Sequence, residues 1–344
     1  MYKSLQSGRA LAAVAVFLMH LFATVFSPKN FDRPNLMLSF WLGQVGVYFF
    51  FVLSGFIIFT VHRGDLFQKS LFNSYLVKRF IRIYPTYFII YGGVLLFAFF
   101  SPSTRLMVSE NVELLLRWFL FIPEEGQNGA PVNNPIIVVA WSLQFEMVFY
   151  ILFGFFILGR IPALIVILAL MGLFGLKVNG IALPFPLDHF IGYDSVLFAA
   201  GAFVGFVHSL KRGSLQFFVY LFSGLLVFFL ILHYLKVDAV RVAYGGGIVV
   251  LIYLMVSAEE MGFVLGWQDW VQRIGDASYA LYLIHYPLVS VATNILYNLF
   301  GRRFGILGAI PILLIAGGLS LFVALQFHSR VEKPMIQWLR RRLL

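Results

Sequence analysis

Long apolar runs alternate with short polar connections along almost the whole chain. About 20 mostly apolar residues suffice for a helix to cross a bilayer, and about ten runs are read as spans: 5–26, 38–61, 84–100, 139–158, 161–176, 193–208, 215–235, 239–257, 277–300 and 306–328. The fourth and fifth are parted only by the GRIP step at 159–162, a tight turn, and the fifth is short. The pattern predicts an all-α, polytopic integral membrane protein without a separate soluble unit. A semi-apolar segment, VELLLRWFLFIP, lies between the third and fourth spans. It is too short to cross, so it either lies flat at an interface or re-enters.

Composition sharpens this picture. Of 344 residues, 61% are hydrophobic and 12% charged, about half the charge of a soluble domain. Cysteine is absent, which excludes disulfides, thiolate metal sites and a cysteine nucleophile. Lys3 and Arg9 ahead of the first apolar run resemble a signal sequence, but no small-x-small cleavage site follows FATVFSPKN, so an uncleaved first span is expected.

The net charge of +10 is informative only side by side. Connection 62–83 carries Arg63, Lys69, Lys78, Arg79 and Arg82 against Asp65, and later even-numbered connections carry Arg160, then Lys211 and Arg212. Connection 101–138 is acidic, with Glu110, Glu113, Glu124 and Glu125 against Arg105 and Arg117. The positive-inside tendency then predicts cytoplasmic termini and an outer third connection. Arg302 and Arg303, and the loop with Glu259, Glu260 and Asp269, run against it. The chain divides into a spanning part, 1–328, and a basic tail, 329–344. In that tail, Trp338 and Arg340, Arg341 and Arg342 have the composition of an interfacial helix on anionic lipid. The excess charge therefore points to membrane lipid, not to nucleic acid.

Ionisable residues inside spans are costly and mark function or a satisfied internal bond. Arg9 and His20 stand eleven residues apart, on one helix face about 16 Å apart along the axis. His20 lies about 20 Å from the inner end of its span and Glu146 about 10 Å from the outer end of its own, so the two fall at similar depth. A carboxylate beside an imidazole makes a base pair for a hydroxyl nucleophile; alternatively each satisfies its own structural bond. Arg79 and Arg82 in KRFIRIYP share a helix face just before Pro85. Paired guanidinium groups suit a polyphosphate, and equally suit plain anchoring at the inner surface. His285 in SYALYLIHYPL, with Tyr279, Tyr282 and Tyr286, falls in the inner half of its span, either lining a polar cavity or packed among tyrosines. Asp194 and Ser195 open the sixth span, while Trp141 and Ser142 precede Glu146. Ser54–Gly55 reads as a close-packing step. Zinc-helix, nucleophile-elbow and P-loop motifs are absent from the sequence.

Taken in order, the Arg9-to-His20 spacing, FFFVLSGF, KRFIRIYP, WSLQFEMVFY and SYALYLIHYP resemble membrane-bound acyltransferase family 3, the O-acyltransferases of cell-surface glycans and other hydroxylated molecules. The resemblance implies an acyl-CoA donor, by default acetyl-CoA, on the cytoplasmic side, no metal, and a saccharide or similar hydroxyl acceptor at the outer face. It implies a catalytic histidine at His20 with the acidic position at Glu146, and CoA contacts at Arg79 and Arg82, with Arg9 and His285 added to that binding set. Many members write the basic pair with one residue between; here two intervene. It further implies the inner membrane of a bacterium and glycan-assembly proteins as partners. Direct base catalysis and a covalent acyl-histidine both fit. The alternative is a secondary transporter or exporter of a small acid or acylated metabolite, with the mid-depth polar residues lining its path.

Overall fold

The computed structural model describes residues 2–38, 40–100, 111–125, 131–132, 136–210, 237–266 and 268–344, with isolated positions 220, 224, 227 and 231. Its long helices are α1 (Lys3–Val25), α2 (Phe40–His62), α3 (Phe72–Phe100), and then, after the short α4 (Val112–Phe119), α5 (Trp141–Leu158), α6 (Arg160–Val178), α7 (Tyr193–His208) and α8 (Ala239–Glu260). The short α9 (Asp269–Asp276) precedes α10 (Ser278–Leu296), α11 (Ala309–Phe327) and the terminal α12 (Lys333–Leu343). Nine of the ten expected spans correspond to helices among the described residues; the seventh, 215–235, lies almost wholly outside them. The only strands among the described residues are Glu124–Glu125 and Pro131–Val132, paired antiparallel. The all-α reading of a polytopic membrane protein therefore stands.

One boundary moved substantially. Helix α3 begins at Phe72 and runs through Pro85, so Lys78, Arg79 and Arg82 ride on the helix instead of preceding it. Charge masked the apolar periodicity there: Tyr75, Ile81 and Ile83 are buried on the same stretch. At the GRIP step, Gly159 has φ 158°, a value that favours glycine, and it ends α5 and starts α6 without a linker. The peripheral α6 shows Ile161, Leu164, Ile165, Leu168 and Met171 outward, as a lipid-facing helix should. The VELLLRWF segment forms α4, capped by the Asn111 side chain, which accepts from the amides of Glu113 and Leu114. It docks on α3 through Tyr87 Oη donating to Trp118 O at 2.8 Å and Tyr91 Oη donating to Leu115 O at 3.0 Å.

Helix α2 is the organising element, packed by α1, α7 and α8. Lipid supplies no hydrophobic drive between spans, so close backbone approach and dispersion hold them. A Cβ placed on Gly55 would strike the carbonyl oxygen of Phe198, and one on Gly201 that of Val52. The small-residue step expected at Ser54–Gly55 is thus a helix contact. Around it, the tilted rings of Phe51 and Phe198 lie 4.6 Å apart, with Tyr48, Phe56 and Leu197 also buried. Gly201→Val should force α2 and α7 apart and cost about 1–3 kcal/mol of stability. The expected readout is a lowered melting temperature of the detergent-solubilised protein; an unchanged one would mean the two backbones can separate freely.

A second core joins α1, α10 and α11 through Phe17, Leu21, Val289, Ile312 and Ala316. Helix α1 thereby sits between α2 and α10, which sets its polar residues against both. Its first turn is tied down by Glu259, which accepts from the amides of Lys3 at 2.8 Å and Ser4 at 2.7 Å.

Candidate active site

Helices α1, α2, α3, α5 and α10 enclose an open cavity of about 830 Å³, counting the part continuous with solvent. Three guanidinium groups, Arg9, Arg79 and Arg82, line it against a single carboxylate, Glu146. Ser54, Ser142, Tyr150 and Tyr282 complete the polar wall, and Phe50, Phe51 and Leu53 the apolar one.

Each arginine is held from behind. Arg9, 9% exposed, donates from Nη1 to Gln6 Oε1 at 3.2 Å, and Gln6 Nε2 in turn donates to Asp276 Oδ1 at 2.5 Å. Glu332, 1% exposed and following α11, lies within Coulombic reach of Arg9. Arg79 donates from Nη2 to His62 Nε2 at 2.9 Å, and His62 Nδ1 donates to Asp65 Oδ2 at 2.6 Å. Because a guanidinium can only donate, this chain fixes a neutral His62 with its proton on Nδ1. Arg79 also lies over the rings of Tyr75 and Tyr150, 5.7 and 5.3 Å from their centroids, and Arg82 lies 5.4 Å from that of Tyr279. Both guanidinium groups are thus aimed by aromatic faces and keep donor capacity for an anion; Arg79 Nε is buried without a partner among the described residues.

Glu146 accepts from Ser54 Oγ at 3.2 Å and from Tyr150 Oη in a short bond. Among the described residues no hydrogen bond or ion pair joins Glu146 to His20. Equal depth along the membrane normal brought the two together in the sequence reading, but depth says nothing about azimuth around a helix axis. Glu146 instead belongs to the arginine-lined cavity.

His20 is paired with His285. His285 Nε2 stands 3.2 Å from His20 Nδ1, and the rings are 5.1 Å apart. Neither residue lines the cavity. The link between them runs through Tyr282, a cavity residue whose ring lies 6.3 Å from that of His285. Tyr282 shares a 2.8 Å hydroxyl bond with Ser142, and Tyr279 donates to Ile83 O at 2.9 Å. Helices α1 and α10 bring the two rings together, a pairing not anticipated from the sequence. His285, expected among the donor contacts, is fully buried beside His20 and does not line the arginine cavity. Tyr286 sets its ring edge-on to His20 at 5.4 Å.

Asp194, Ser195 and Trp141 do not line the cavity. Ser195 Oγ donates to Phe190 O, and Trp141 packs on Phe51 and Phe145. Sequence reasoning missed His62, Asp65, Tyr150 and Gln6. Their signals were present as helical offsets: His62 and Asp65 three apart, Glu146 and Tyr150 four apart, Gln6 and Arg9 three apart. Groups of three or more metal-ligating side chains do not occur among the described residues.

A family model described as an acyltransferase domain matches residues 2–328. The chain belongs to this acyltransferase family. Among curated members, it is 28% identical to the exopolysaccharide production protein ExoZ of Rhizobium meliloti over 87% of this chain and 91% of that one. It is 22% identical to the peptidoglycan O-acetyltransferase OatA of Listeria monocytogenes, over 85% of this chain and 50% of OatA. The acyltransferase MdmB of Streptomyces mycarofaciens is 27% identical over 44% of this chain and 38% of its own. No solved structure matches. The protein is thus a membrane-embedded acyltransferase.

Proposed function

We propose that this acyltransferase moves an acyl group, by default acetyl, from acyl-CoA at the cytoplasmic face to a hydroxyl of a saccharide at the outer face of a bacterial inner membrane. The observation that carries this reading is the convergence of Arg9, Arg79 and Arg82 on one cavity. Its wall continues through Tyr282 towards the His20–His285 pair. Fixed guanidinium groups recognise phosphate oxygens bidentately, and CoA is rich in them. Ser54, Tyr150 and Glu146 on the same cavity wall offer hydrogen-bonding partners for a pantetheine amide.

His20 then accepts the proton of the acceptor hydroxyl as its oxygen attacks the thioester carbonyl. The carbon–sulfur bond breaks, and the imidazolium returns that proton to the departing thiolate. Positive charge on the α2–α3 connection and the tail supports the cytoplasmic placement of the donor side. Helix α12, with Trp338 and Arg340, Arg341 and Arg342 exposed, rests on anionic lipid at that face. Relatives named for exopolysaccharide production and peptidoglycan O-acetylation support the saccharide acceptor.

The test is direct. Inverted membrane vesicles carrying the protein receive radiolabelled acetyl-CoA outside, with the producing strain's glycans inside. Label should pass to glycan with release of one free thiol per acetyl group. Thiol release without labelled glycan would reject the saccharide acceptor. No thiol release from any acyl-CoA would reject the donor.

A further inference from the structure

With both rings neutral, the hydrogen bonds around the histidine pair admit one proton arrangement. A carbonyl oxygen can only accept. Leu281 O lies 2.9 Å from His285 Nδ1, so that nitrogen carries the proton and Nε2 a lone pair. Val16 O lies 3.0 Å from His20 Nδ1, so that nitrogen also carries a proton. His285 Nε2 faces that same N–H at 3.2 Å. All three contacts agree: the His20 Nδ1 proton is shared between Val16 O and His285 Nε2. What remains is His20 Nε2, which has a lone pair and no hydrogen bond among the described residues. Moving the His20 proton to Nε2 would leave Nδ1 facing two acceptors and lose both bonds.

Resting on the reading of His20 as the base, we infer that His285 is a positioning residue for acyl transfer. It accepts from His20 Nδ1–H, fixes the tautomer in which Nε2 is the basic atom, and strengthens its hold once His20 takes the hydroxyl proton. A charged donor makes the stronger bond, so the contact tightens in the step where charge develops. The surroundings explain why a neutral ring is used for this and not a carboxylate. The pair is packed by the rings of Phe17, Tyr282 and Tyr286, at 6.0 Å and 6.3 Å from His285 and 5.4 Å from His20 respectively. A bare carboxylate there would place a full negative charge among packed aromatic rings, a costly burial. A histidine whose own Nδ1–H is spent on a helix carbonyl presents a lone pair at no cost in buried charge.

The test uses the purified full chain in nanodiscs. His285→Leu removes the acceptor and keeps an apolar fill; His285→Gln puts an amide oxygen near the former Nε2. The Leu variant should lose kcat by about tenfold or more, with the donor KM within about twofold of wild type as a sign that the arginine cavity is intact. The Gln variant should recover kcat to within about threefold of wild type. Nitrogen-15 spectra of labelled histidine, with the His20 signal assigned by its loss in His20→Ala, should show the Nδ1–H tautomer in the wild type. The inference is overturned by wild-type kcat in His285→Leu, by a Gln variant as slow as the Leu variant, or by a wild-type His20 protonated on Nε2. Retained turnover in His20→Ala would instead sink the base reading itself. An inactive His20→Ala beside a fully active His285→Leu would sink only the role given to His285.

Discussion

His20→Ala should retain expression, solubility and donor binding while kcat falls by two or more orders of magnitude. General base catalysis contributes about 10²–10⁴-fold, and the two nearest described imidazoles are poorly placed to substitute. His285 loses its Nε2 partner in that variant but stays fully buried outside the cavity, with Nδ1–H on Leu281 O. His62 has its two nitrogens committed to Asp65 and Arg79. His20→Gln, which nearly preserves volume and supplies no base, should be equally inactive; it separates loss of the proton acceptor from a packing defect against Tyr286. The measurement is steady-state thiol release in reconstituted vesicles, with size-exclusion profiles as the folding control. Turnover near the wild-type rate in either variant would remove His20 from the chemistry.

Arg79→Ala should act on the other end of the reaction. Hydrogen bonds to charged groups contribute about 1.5–3 kcal/mol, so the KM for acyl-CoA should rise roughly 10–100-fold with a smaller change in kcat. Arg79→Lys should fall between, because a point charge replaces part of the attraction but not the planar fork that His62 and the two tyrosine rings aim. A truncated donor makes the assignment specific. Acetyl-pantetheine lacks the nucleotide and its phosphates, so wild type and Arg79→Ala should use it equally poorly. An undiminished penalty for Arg79→Ala with the truncated donor would mean that the guanidinium holds the cavity together instead of binding phosphate.

These two ends of the site differ in how far the linear chain revealed them. Arg79 and Arg82 were visible as a pair because three-residue spacing brings side chains onto one face of any helix. Their supports, His62 with Asp65 and Tyr150 with Glu146, have the same local spacing but draw attention only once a neighbouring helix supplies the third partner. Arg9 and His20 were likewise paired by periodicity. The charges on α3 hid where that helix starts, since a hydropathy window weighs a guanidinium against it whether or not the residue faces a polar cavity.

What one helix sets by itself came from the sequence: nine of its ten apolar segments are helices among the described residues, and the tight turn at Gly159 and the small-residue step at Gly55 are where the pattern put them. Which ionisable residues meet was decided only by packing. Depth along the membrane fixes one coordinate, whereas a contact also needs the rotation of each helix about its axis and the choice of neighbour. Those follow from close approaches such as Gly55 on Phe198 and Gly201 on Val52, and from the seating of α1 between α2 and α10. That seating gave His20 to His285, left Glu146 with Ser54 and Tyr150, and gathered arginines from α1 and α3 around one cavity.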